Sequence, residues 1–149
     1  MSSLYVRTQI KDFLEDESEE LVIDLTALHS DFKQMLAEAG VQPDASWLGL
    51  QFIGDDEIPI ALAATNDQGK YRETGAIYFH VAGVAKLGAG DGLLTRGETL
   101  RDLLRGRRIG DITIDSVTPM NFDNGATLDF EGGYMSGSFL VSYRRDLDL

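Results

Sequence analysis

Cysteine is absent from the 149 residues. That excludes a disulfide framework, a thiolate nucleophile and a zinc–thiolate cluster. Histidine occurs twice, tryptophan once and proline three times, so imidazole chemistry has few places to sit. Bases are scarce as well: 13 lysines and arginines stand against 25 acids, a formal charge of −12. Such a chain should repel nucleic acid except where its bases are grouped. No apolar run is long enough to span a bilayer. The opening Met1-Ser2-Ser3, soon followed by acids, lacks the order of a secretory leader. What is present is ordinary for a folded protein, with 43% apolar and 26% charged residues. The length suits one domain, residues 1–149, burying roughly 68–70% of its unfolded surface.

The chain is organised around Tyr71–Arg108. Within it, Thr74–Val84 alternates as a core strand, with Ile77, Phe79 and Val81 on one face. The loop Gly88-Ala89-Gly90-Asp91-Gly92 leads to an amphipathic helix carrying Leu93, Gly97, Leu100 and Leu104 on one side, Leu103 beside them, and Asp91 or Thr95 as candidate N-caps. Gly106 closes that helix. Its other side bears Glu98, Arg101, Arg105 and Arg108, with Glu98–Arg101 and Asp102–Arg105 spaced as i,i+3 pairs.

Ahead of this unit, Val6, Ile10, Phe13 and Leu14 predict a helix over 3–15, capped by Ser2 or Ser3. Negative charge at its C-terminal end opposes the macrodipole, so a break is expected near Glu17–Glu20. Leu21–Leu25 fits a short strand or a helical turn. A second helix is expected from Ser30, with Phe32, Met35, Leu36 and Ala39 on one side and Gly40 and Pro43 ending it. Trp47–Ile53 and Ile58–Ala64 read as two strands separated by a Gly54-Asp55-Asp56 turn, and Pro59 places the second at an edge or a bulge. Asn66–Gly69 turns into the core strand, completing a meander. After the helix, Asp111–Thr118 is a strand ended by Pro119, Asn121–Gly125 a loop, and Gly132-Gly133 the turn of a small hairpin from Ala126–Glu131. In the final strand, Met135–Arg145, the residues Phe139, Val141 and Tyr143 face in and Ser138, Ser142 and Arg144 face out, followed by a loose tail. The expected fold is α+β: one mainly antiparallel sheet with two or three helices packed on one face.

Chemistry is hard to find. His29 and His80 are 51 residues apart without a metal-ligand or triad spacing, and both read as structural. The glycine loop before the helix has the geometry of an anion site, yet Asp91 would repel phosphate and no Gly-Lys-Ser/Thr follows. Asp55, Asp56 and Glu57, and the run from Asp12 to Asp24, suit a hard cation in type but show no EF-hand spacing. No catalytic constellation, cofactor or metal is expected. The charge is nevertheless segregated. Asp12, Glu15, Asp16, Glu17, Glu19, Glu20 and Asp24 form an acidic run without a base, whereas Arg96, Arg101, Arg105, Arg107 and Arg108 fall within thirteen residues. Solvated faces would account for this; so would head-to-tail contact between copies of the chain.

Two stretches resemble phage tail-terminator proteins of non-contractile tails: Tyr71-Arg72-Glu73-Thr74-Gly75-Ala76-Ile77-Tyr78-Phe79-His80-Val81, and Arg96–Ile109 with its Arg105-Gly106-Arg107-Arg108 stop. The Trp47–Phe52 strand with Gly54, Asp55 and Pro59, and the closing Tyr143-Arg144-Arg145, also agree. The resemblance covers roughly residues 47–145, and Glu15–Ala45 looks like an elaboration. It implies a homohexameric ring, located in the virion at the head-proximal end of the tail. Such a ring caps the tail tube, ends its polymerisation and offers a surface to the head-completion or connector protein. DNA only passes through the bore, which surplus negative charge would keep from sticking. Candidate contact residues are Arg72, Glu73, Arg101, Arg105, Arg107 and Arg108 with Glu15, Asp16, Glu17, Glu19 and Glu20. The alternatives are another tail or neck component and, in a different class, a small soluble enzyme or ligand-binding domain.

Overall fold

Eight elements account for the 4–18, 21–25, 46–62, 69–84, 89–122 and 134–148 stretches described by the computed structural model. They are α1 (Leu4–Ser18), β1 (Val22–Asp24), β2 (Trp47–Leu62), β3 (Gly69–Val84), α2 (Ala89–Leu104), β4 (Arg108–Ile109), β5 (Ile112–Val117) and β6 (Tyr134–Asp148). The fold is α+β. The strands make one six-stranded sheet in the order β1-β2-β3-β6-β5-β4, antiparallel throughout except for the parallel β1–β2 pair.

Alternation fixes which side chains meet the helices. Leu48, Leu50 and Phe52 of β2 lie beside Val81, Phe79 and Ile77 of β3, which in turn lie beside Gly137, Phe139 and Val141 of β6. Phe79 and Phe139 stack with centroids 4.8 Å apart. Val6, Ile10 and Leu14 of α1 and Leu93, Leu100 and Leu104 of α2 close over this face, joining it in one apolar cluster. Full burial of a side chain such as Ile10 or Leu104 contributes about 1.5–3 kcal/mol. Met120 fills the space left by Gly97 on α2, so the glycine in the leucine stripe is a packing requirement. The sheet curls round α1, which reaches β1 through Arg7–Asp24 and the start of β4 through Phe13 under Arg107.

Several expectations need correction. Gly54-Asp55-Asp56 does not turn the chain: β2 is continuous, with register shifts between Ile53 and Asp55 and between Pro59 and Ala61. The long pairing with β3 outweighs the local turn preference, and bulges absorb the misfit. Helix α2 begins at Ala89, so Asp91 and Thr95 lie inside it and neither is its N-cap. Ser138 is 1% exposed where strand alternation pointed it to solvent, because Trp47, His80 and Ala82 are buried on that face too. The loose tail is strand, with Asp148 opposite Lys70. Leu21–Leu25 resolves into β1, and α1 ends at Ser18, inside the region where a break was expected. Ser2, Ser3, the Ser30 helix and the Ala126–Glu131 hairpin lie outside the described residues.

Candidate assembly surface

The residues quoted for the resemblance interlock. Arg72, Glu73 and Gly75 of β3 lie opposite Asp146, Arg145 and Tyr143 of β6. Arg72 grips Asp146 with two parallel bonds, Nε to Oδ1 at 2.8 Å and Nη2 to Oδ2 at 3.3 Å. That hydrogen bond, and then the charge of the same carboxylate, raises the Arg72 pKa above its ordinary value. One residue on, Glu73 faces the other side of the sheet, is 4% exposed and lies 3.9 Å from Arg145. The Arg145 guanidinium covers the Tyr5 ring at 3.8 Å from its centroid, which ties α1 to the sheet. Gly75 admits the Tyr143 ring: a Cβ there would stand 2.7 Å from Cζ. Thus the Arg-Glu-x-Gly run and the Tyr-Arg-Arg run form the two sides of one ladder.

The arginines of α2 divide by burial. Arg101 turns inward, donating from Nε to the Thr118 carbonyl at 2.6 Å and from Nη1 to Glu98 at 2.7 and 2.9 Å. It joins α2 to the end of β5. Arg105 is exposed and pairs with Asp102 at 2.9 Å. Both i,i+3 pairs read from the sequence form. Gly106 takes a φ of 67°, the left-handed turn that ends a helix cheaply only in glycine. Arg107 donates to the Leu103 carbonyl at 2.9 Å and lies over Phe13, while Arg108 donates to the Gly110 carbonyl at 3.2 Å. Positive charge is favourable at this helix end. Arg107 and Arg108 are exposed and have no carboxylate partner among the described residues.

Glu15, Asp16 and Glu17 are exposed at the end of α1, and Lys11 approaches Glu15 at 3.8 Å. Glu19 and Glu20 lie outside the described residues. Glu17 and Ser18 share an open groove of about 470 Å³ with Thr95, Arg96, Thr99 and Asp102 of α2. The α1 acids and the arginine-bearing helix are therefore neighbours within one chain. Another acidic set occupies a different place. Asp55, Asp56 and Glu57 sit on β2 beyond the last β1 contact at Leu50, on a sheet edge with no strand beside it among the described residues. The sequence offered no sign of this, because these residues resembled a turn.

His80 is fully buried, with Nε2 3.2 Å from Gln51 Oε1 and no partner for Nδ1 among the described residues. Burial lowers its pKa to about 4, so the ring is neutral near pH 7. His29 lies outside the described residues. Among the described residues no three acids or histidines converge as metal ligands, and no helix is long and apolar enough to cross a membrane.

No protein-family model matches the chain, and no curated protein matches it.

Proposed function

We propose that this chain is a structural subunit of a viral tail, a tail terminator whose copies close into a ring over the end of the tail tube. The reading rests on the resemblance of residues 47–145. The observation that carries it is that the resembling pieces meet in one unit: Glu73–Arg145 and Gly75 under Tyr143 along β3 and β6, with Gly106 and its flanking arginines at the end of α2. A hexameric cap presents one flat side to the tail tube protein and the other to a head-completion or connector protein, while DNA only passes through. In this role Arg72, Glu73 and Arg101 hold the subunit together, and exposed charges remain for contact between subunits.

The test is functional as well as structural. Purified tube protein polymerised with the chain should give tubes of limited length with a ring at one end in electron micrographs. Tubes as long and as bare-ended as those grown without it would overturn the proposal. Incorporation along the whole tube would instead make it a tube component.

A further inference from the structure

Most of the described arginines are already satisfied. Arg7, Arg72, Arg101, Arg105, Arg144 and Arg145 each lie within 3.9 Å of a carboxylate. Arg96 donates to the Ala82 and Trp47 carbonyls. Arg107 and Arg108 are exposed and face no carboxylate among the described residues. Asp111, in the turn after β4, is exposed and makes no ion pair with either. In a chain where 25 acids outnumber 13 bases, two unpaired arginines are the exception. Neither is loose. Arg107 donates from Nε to the Leu103 carbonyl at 2.9 Å and rests over Phe13, 5.3 Å from the ring centroid. Arg108 donates from Nε to the Gly110 carbonyl at 3.2 Å. In each, the backbone holds one edge of the guanidinium, and both Nη groups lack a partner among the described residues.

From this arrangement we infer that the end of α2 and the edge strand β4 form a docking point for an acidic protein segment. The segment binds through the open Nη forks of Arg107 and Arg108. A carboxylate matches such a fork with two parallel bonds. Guanidiniums held in advance have less side-chain freedom to lose when the partner arrives. The partner needs more than one carboxylate. Arg107 lies on the α1 side of the sheet, over Phe13. Ile109 joins the core on that same side, so Arg108, its neighbour on β4, faces the other way. One small anion therefore cannot fill both forks, whereas a chain crossing the β4 edge with several carboxylates can. Nucleic acid fits less well. A net charge of −12 repels a phosphate backbone, and Phe13 is covered by Arg107 rather than open to stack on a base. The segment belongs either to another copy of the chain or to a different protein. The inference does not depend on the proposed ring.

Titration with a short polyglutamate peptide, followed by the arginine Nε–H resonances in NMR, tests the docking point. Physiological salt screens repulsion from the rest of the chain. The Arg107 and Arg108 signals should then shift together, while that of Arg101, buried against Glu98, stays in place. Arg107→Gln with Arg108→Gln should weaken binding about tenfold or more. Arg107→Lys with Arg108→Lys should fall between, since lysine lacks the fork. Arg105→Gln, which removes only the exposed pair with Asp102, should bind nearly as wild type. Should the glutamine pair fail to fold, the wild-type shifts and the lysine pair carry the test. Sedimentation without peptide identifies the source. Self-association weakened both by the glutamine pair and by added peptide assigns the segment to another copy; unchanged or absent self-association assigns it to a different protein. No shift at either arginine, equal affinity in the glutamine pair, or tighter binding of a short DNA duplex at the same two signals overturns the inference. A chain that binds the peptide but never forms a ring overturns the ring alone.

Discussion

Arg101 and Arg105 are four positions apart on one helix, yet they do different work. Arg101 satisfies the Thr118 carbonyl and both Glu98 oxygens from a buried position. Arg101→Ala should cost about 1–3 kcal/mol in urea unfolding, since a charge-assisted bond is lost and a carbonyl is left unsatisfied. Arg105→Ala, which breaks an exposed pair with Asp102, should change stability by no more than about 0.5 kcal/mol. Equal losses in the two variants would contradict this division. Helical periodicity placed both on one solvent-facing side, because the Thr118 carbonyl that draws Arg101 inward arrives from seventeen residues away.

His80 yields a second expectation of this size. Its folded pKa is depressed to about 4 from 6.5 by burial. Above about pH 6.5 neither the folded nor the unfolded state holds the proton, and the neutral ring is fully compatible with the fold. As pH falls from about 6.5 to about 4 the unfolded state protonates first, and stability drops by on the order of 3 kcal/mol before levelling. Subtracting the same titration of His80→Gln removes the carboxylates' share. NMR of the imidazole should show no inflection above pH 5; titration near 6.5 would mean the ring is hydrated.

Among the elements, β3 and β6 form the longest shared ladder and carry the most legible sequence. The apolar alternation of Ile77, Phe79, Val81 and of Phe139, Val141, Tyr143 gave both strands and their inward faces, and the structure buries all six. Period-two patterning is a local property, so it survives without knowledge of the partner strand. What it cannot report is whether the second face is also covered, which is why Ser138 and His80 are more enclosed than alternation suggests. Pairing between distant segments is equally silent: three residues of β1 run parallel to β2, and two residues make β4. In β2 the turn-forming residues Gly54-Asp55-Asp56 misled because their bulge exists only against β3. Among the candidate contact residues, the segregation of charge was visible, but that Glu17 lies across a groove from α2 in the same chain depends on how the two helices pack. The ladder also sets a limit on substitution. Gly75→Ala pushes a methyl group into the buried Tyr143 ring and should cost about 1–3 kcal/mol. Gly106→Ala, strained at φ 67° but open to space, should cost about 1 kcal/mol. A Gly75→Ala protein as stable as wild type would mean that β3 and β6 part easily.

At the scale of the whole molecule, a net charge of −12 would make assembly into the proposed ring a balance. General repulsion between copies opposes approach, and the proposed ring would need locally complementary charges to favour one orientation. Moderate salt screens the longer-ranged repulsion first; close exposed pairs are weakened as well only when the Debye length falls to about 3 Å, at about 1 M. Raising salt well above physiological strength should therefore dissociate a ring held by exposed ion pairs, without unfolding its subunits by circular dichroism. A ring indifferent to salt would place its stability in apolar contacts instead.

The most direct measurement is the mass of the purified chain in solution by size exclusion with light scattering, followed by images of the particle. The account predicts six copies of the 16.4 kDa chain in a closed annulus with an open centre. A particle of one chain's mass at every concentration and salt strength would contradict it.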